Sequence, residues 1–191
     1  MLFPLQKIKK SLFSTQFILL AVSVVVYFVL NYIFDLPPTA LEFHSEIVKA
    51  EPLGNELRIE GEYHFMAHHW RKNSYELGFP VSEKKGIAPL KNINVVADGS
   101  TLPFKVHPQG LSFRLPVKPG GETIMKVSYI ISAPEKKGVY ITRTANLWPK
   151  AITRAEFIIP EGIRSNYHEP GKTSAVFINF RPKENWIISW R

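Results

Sequence analysis

Apolar and polar side chains alternate along most of this chain beyond position 56, the period of strands with one face buried. Leu57, Ile59, Tyr63 and Phe65 alternate with Arg58, Glu60, Glu62 and His64. Asn92–Ala97 runs into Asp98-Gly99 and then Ser100–Val106, a two-residue hairpin signal, because that turn requires positive φ. Leu111–Leu115 alternates again, and Pro119-Gly120-Gly121 leads into Thr123–Ile131, where Met125, Val127, Tyr129 and Ile131 share a face. Val139–Ala145, Ile152–Ile159, Ala175–Phe180 and Trp186–Trp190 complete the series. Most of the fifteen prolines fall between these runs, as expected of strands separated by tight turns.

The pattern contains no amphipathic helix of three turns, and it predicts an all-β domain over residues 36–191. Its general character resembles an antiparallel, immunoglobulin-like β-sandwich, a resemblance that implies no activity.

One segment breaks the alternation. Phe17–Phe34 is eighteen residues with no Asp, Glu, Lys, Arg or His. As a helix it would rise roughly 27 Å, close to the thickness of a bilayer's hydrocarbon core. Lys7, Lys9 and Lys10 precede it, and Asp35 and Pro37-Pro38 follow. The expected organisation is a cytoplasmic tail (1–16), a single transmembrane helix (17–35) and an extracytoplasmic domain (36–191), held near the bilayer by the stiff Pro-Pro link. A cleaved signal peptide is the competing reading. It fits less well, because the apolar run exceeds a signal's hydrophobic region and no A-x-A site follows. With an inner membrane as the host, the domain would be periplasmic.

Charge refines this picture. Three of the 24 basic and one of the 16 acidic residues precede position 36, leaving 21 against 15 in the domain. The basic residues are scattered rather than striped with aromatics, so they predict contact with anionic lipid headgroups or an acidic partner, and no nucleic acid. The absence of cysteine excludes disulfides, thiolate catalysis and sulfur-ligated zinc or iron–sulfur sites.

Catalytic candidates are few. Asp35 and Asp98 are the only aspartates, there is no G-x-S-x-G elbow, and Gly120-Gly121 reads as a turn rather than a phosphate cradle. Glutamates such as Glu60, Glu62, Glu76 and Glu156 leave a glycosidase-type carboxylate pair open, as an enzyme acting on envelope polymers would need. The expectation is a protein that is not an enzyme.

Three constellations remain. His64, Met66 and His68 would point to one side of a continuing strand, and imidazole with thioether suits copper, especially Cu(I). Against a copper-binding or copper-delivery role stands the ordinary reading of a polar strand end. Ser23, Tyr27 and Asn31 recur every four residues on one face of the apolar helix, where they would pack on partner helices. Trp186 and Trp190 share a face of the last strand, either in the core or as a docking surface. The function expected from these features is a single-pass accessory or assembly subunit of an integral membrane protein complex.

Overall fold

The computed structural model describes residues 41–68, 73–81 and 90–191. The chain divides into Met1–Pro37 and Pro38–Arg191, and all described residues belong to the second unit. The apolar run 17–34, with Ser23, Tyr27 and Asn31, lies outside them. Among the described residues no helix is long and apolar enough to cross a membrane.

The fold is all-β. In chain order its first strands are β1 (Leu41–Leu53), β2 (Glu56–Ala67), β3 (Ser74–Pro80), β4 (Lys91–Ala97), β5 (Ser100–Thr101) and β6 (Phe104–His107). There follow β7 (Gly110–Pro116), β8 (Glu122–Ser132) and β9 (Lys137–Tyr140), then a short 3-10 helix, Arg143–Leu147. The last are β10 (Ile152–Ile158), β11 (Arg164–Ser165), β12 (Ser174–Phe180) and β13 (Trp186–Ser189).

Seven strands form one large sheet in the order β12-β10-β1-β2-β8-β4-β5. Two three-stranded sheets, β3-β7-β6 and β11-β13-β9, pack on its inner face. Phe79 of β3 meets Tyr63 and Tyr129 of the large sheet at ring-centroid distances of 5.5 and 6.1 Å. Trp186 of β13 meets Phe157 of β10 at 5.0 Å. One hydrophobic core joins all three sheets.

Two features depart from the expected sandwich. The second layer is two separate sheets rather than one. In addition, β1 and β10 run parallel, so the large sheet is mixed rather than purely antiparallel. Alternation marks which face of a strand is buried but carries no information on its direction, and β1 and β10 are far apart in sequence.

Local chemistry accounts for the element boundaries. Asp98 and Gly99 adopt φ of 46° and 82°, the left-handed pair that closes the β4–β5 hairpin. The run Ser100–Val106 then splits. Pro103 has no backbone N–H to pair, so β5 stays with the large sheet and β6 turns away to pair with β7. The run expected to extend from Val139 to Ala145 ends as a strand at Tyr140 and becomes the 3-10 helix.

The strand β1 contains a bulge. Its register with β2 shifts between Phe43 and Ser45, leaving His44 as the extra residue. One inserted residue inverts the alternation. Leu41 and Phe43 face the core before the bulge, and Glu46, Val48 and Ala50 face it afterwards. A glutamate is thereby placed on the apolar face.

Candidate functional site

Glu46 is 3 % exposed, and it lines a cavity of about 70 Å³ where the three sheets meet. The large sheet contributes Phe43, Tyr63, Phe65 and Met125, one small sheet contributes Leu77, Phe79 and Phe113, and Tyr140 comes from the other. Thr142, Thr144 and Trp148, in and around the 3-10 helix, close the remaining side.

Three of the polar side chains in this space, Glu46, Tyr63 and Tyr140, are bonded to one another, while Thr142 Oγ1 turns away to Tyr167 Oη and the Glu184 carbonyl, each at 2.8 Å. Tyr63 Oη and Tyr140 Oη lie 2.9 Å apart. Tyr140 Oη donates to Glu46 Oε2 across 3.5 Å, at the outer limit of a hydrogen bond, and Glu46 has no other protein partner among the described residues. Burial pushes the Glu46 carboxyl up to about 8, and only the Tyr140 hydroxyl acts against it. Burial likewise holds the Tyr63 and Tyr140 phenols well above their usual range. The site is therefore an aromatic chamber with a carboxylic acid on one wall and, among the described residues, no basic side chain in its lining.

Gly61 helps to shape this chamber. A methyl group added there would overlap the ring of Tyr63, two residues along the same strand. The glycine is what lets that ring lie back along β2 and bring its hydroxyl to Tyr140.

The residues singled out from sequence lie elsewhere. His64 is on the outer face, with Nδ1 2.8 Å from Glu122 Oε1 and Nε2 3.1 Å from Glu62 Oε1. Partial burial works against its protonation, but hydrogen bonds to Glu122 and Glu62 outweigh it and raise its pKa. An imidazolium held by two carboxylates has no lone pair to offer a metal. His68 turns instead to Glu42, with Nε2 2.9 Å from Oε2, and Lys150 Nζ reaches the same oxygen at 2.6 Å. Lys150, followed by His68, holds the Glu42 carboxyl below its usual range. Met66 pairs in register with Glu42 on one side and Glu122 on the other. The strand end is thus an array of ion pairs. Among the described residues no group of three or more His, Cys, Asp or Glu side chains is placed to hold a metal.

The other described histidines, His44, His107 and His168, are also engaged separately. His107 Nε2 lies 2.6 Å from Ser112 Oγ, and His44 Nδ1 lies 3.4 Å from Thr153 Oγ1. His168 bonds Ser165 and the Phe157 carbonyl and stacks on Trp186. Trp186 is 0 % exposed and belongs to the core, because Trp186 and Ile188 both face inward from β13. Trp190 is half-buried against that core, with its Nε1 donating to the Gly54 carbonyl at 3.0 Å. The core reading of these tryptophans describes their placement, and Trp186 offers no docking surface.

The ion-pair geometry predicts the titration of His64. Its ring protons, followed by NMR, will titrate with a midpoint above 6.5, and Glu122→Gln will lower that midpoint. Because the folded-state pKa is raised, the pairing stabilises the fold at low pH and is lost as pH rises through the raised value. A midpoint under 6.5, or one indifferent to Glu122→Gln, would dissolve the pairing and free the ring for other ligands.

No protein-family model matches the chain, and comparison with curated proteins returns no match. Solved structures do resemble it. A nutrient binding protein from Legionella pneumophila superposes with a TM-score of 0.58 at 9 % identity, covering 79 % of this chain and 67 % of its own. An M1 zinc metallopeptidase from Deinococcus radiodurans reaches 0.44 at 10 % identity, covering 78 % of this chain and 42 % of its own. An aminopeptidase N family protein from Idiomarina loihiensis reaches 0.46 at 9 % identity, over 76 % and 29 %. This chain therefore spans less than half of either peptidase. At such identities the likeness to the Legionella protein is one of fold alone.

Proposed function

We propose that this chain is a single-pass, membrane-anchored accessory subunit of an integral membrane protein complex. In this reading the N-terminus is cytoplasmic and the β-domain lies against an extracytoplasmic surface of the partner. The apolar run Phe17–Phe34 behind three lysines supports the anchor.

The structural observation that carries the docking half of the reading is the edge strand β12. It closes one side of the large sheet, with β10 as its only sheet neighbour among the described residues. Ala175 and Phe177 turn toward the core, while Val176 and Ile178 are 50 % and 66 % exposed. Natural edge strands are usually short, charged or bulged along their length. This one presents seven residues without a charge, flanked by Lys172 and Arg181. An incoming strand from a partner would satisfy its free backbone groups and cover Val176 and Ile178, and the flanking cations favour an acidic partner surface or lipid headgroups.

The test is a photo-crosslinking residue placed at position 176 in the tagged full-length chain, expressed in its native membranes. An integral membrane protein captured there in stoichiometric amount, and at least about tenfold less captured with Ile178→Asp, is the expected result. Recovery of the uncrosslinked chain alone from the membrane fraction would overturn the subunit reading, and recovery from the soluble fraction would overturn the anchor.

A further inference from the structure

We propose that the cavity at the junction of the three sheets binds a primary ammonium group on a short aliphatic stem, with Glu46 as its counter-ion. This site is independent of the β12 edge and of the membrane anchor.

The geometry supplies both halves of such a ligand's needs. Phe43, Phe65, Phe79 and Trp148 line the space with aromatic surface that receives an aliphatic stem and attracts a cation through the ring faces. Glu46 supplies the charge. It is nearly inaccessible, is carried inward by the bulge at His44, and retains only one long hydrogen bond. An acid so placed is costly to a fold unless something pairs with it.

Among the described residues, none that lines the cavity is a cation. The described ionisable groups coupled electrostatically to Glu46 are Tyr63, Tyr140 and Tyr167, from β2, β9 and the segment after β11. All three are phenols that burial keeps neutral at physiological pH, so none compensates a carboxylate. Tyr140 and Tyr63 can each accept a hydrogen bond from an ammonium, which carries three donors. Three acceptors around one point suit a primary ammonium, whereas a quaternary group could use none of them. The cavity volume of about 70 Å³ limits the stem to a few carbons.

Binding is written as an exchange of ions. The ligand arrives as R–NH3+, the Glu46 carboxyl loses its proton to solvent, and the ammonium–carboxylate pair replaces the neutral acid. Affinity must therefore rise with pH while the amine stays charged, by roughly tenfold per unit below the carboxyl's own pKa.

The test uses the full-length chain in mild detergent with n-propylammonium as probe and 1-propanol as its neutral counterpart, followed by ligand-observed NMR. The expected dissociation constant is in the millimolar range, the scale set by about four heavy atoms. It should tighten at least about thirtyfold between pH 6 and pH 8, with uptake of the amine releasing about one proton per site at pH 6 to 7. Glu46→Gln should weaken binding at pH 8 by at least about thirtyfold, with its folded state checked by circular dichroism. Equal binding of 1-propanol, an affinity indifferent to pH, or no binding by the parent chain would each overturn the proposal. The pH dependence and proton release need no variant, so the proposal stays exposed to refutation even if Glu46→Gln misfolds.

Discussion

Replacing Glu46 by glutamine will stabilise the full-length chain at neutral pH and flatten its stability profile between pH 4.5 and 8. The carboxyl is buried with one marginal hydrogen bond, and its pKa rises from 4.5 to about 8 on folding. The direction follows from proton binding. Between those two values the unfolded chain holds an ionised Glu46 while the folded chain must keep it protonated. The fold therefore has its full stability below 4.5 and loses it progressively as pH rises toward 8. At pH 7 the penalty has an upper bound of about 3 kcal/mol, from about 1.4 kcal/mol for each unit of the difference. Glutamine has nearly the same shape, carries no charge, and can still accept from Tyr140. Removing the penalty would raise the melting temperature by roughly 6–12 °C for a domain of this size. Thermal denaturation of both chains across pH 4–9 is the measurement. Parallel profiles would show that Glu46 is solvated or paired in the folded chain.

Phe157→Ala will produce the largest loss of stability of any single truncation considered. Phe157 is 0 % exposed on β10, the strand between β1 and β12. Its ring meets those of Tyr140, Tyr167, Phe177, Phe180 and Trp186, with centroids 5.0 to 6.5 Å away. These neighbours come from β9, β12, β13 and the segment after β11, so the side chain ties one small sheet to the edge of the large one. Truncating a buried phenylalanine removes its transfer free energy and leaves a cavity, at a cost of about 3–5 kcal/mol. Because the surrounding rings are themselves wedged between strands, little collapse is available and the upper part of that range is expected. Urea denaturation of the full-length chain checks it. A loss under about 1 kcal/mol would mean that the C-terminal aromatic cluster repacks freely.

Much of this architecture is legible from alternation alone. The strands β2, β7, β8, β10, β12 and β13 fall where apolar residues recur with period two, and Asp98-Gly99 adopts the positive φ that its composition demands. Three strands, β1, β3 and the two-residue β11, escape such a reading, the first two for identifiable reasons. In β3, Ser-Tyr-Glu-Leu-Gly-Phe-Pro places weak strand formers at Gly78 and Pro80, which mask the alternation of Tyr75, Leu77 and Phe79. In β1, the bulge at His44 swaps the parity of inward positions partway along the strand, so no single phase fits Leu41 to Ala50. The candidate site is hidden by the same event. A glutamate beside apolar residues normally reads as an outer-face charge, and here only its shared parity with Val48 and Ala50 marks it as inward.

The surroundings of the visible histidine–methionine cluster were hidden for a different reason. His64, Met66 and His68 stand out because histidine and methionine are scarce, yet Glu62, two residues from His64 on the same strand, and Glu42 and Glu122, from the two neighbouring strands, engage the imidazoles. One sequence read along its length cannot show which carboxylates a neighbouring strand will deliver.

The parallel pairing of β1 with β10 has a consequence for how the molecule is made. Ser45 lies beside Arg154, so about a hundred residues separate two strands that share a ladder. During synthesis β1 can zip onto β2 almost at once, since two residues link them, but its other edge must wait for most of the chain to emerge. Until then that edge is an open template for other strands. The ordering step that ends this exposure is the closure of a very long loop, which places β10 docking late on the folding route. Truncated chains ending before residue 152 are therefore the species most prone to aggregate.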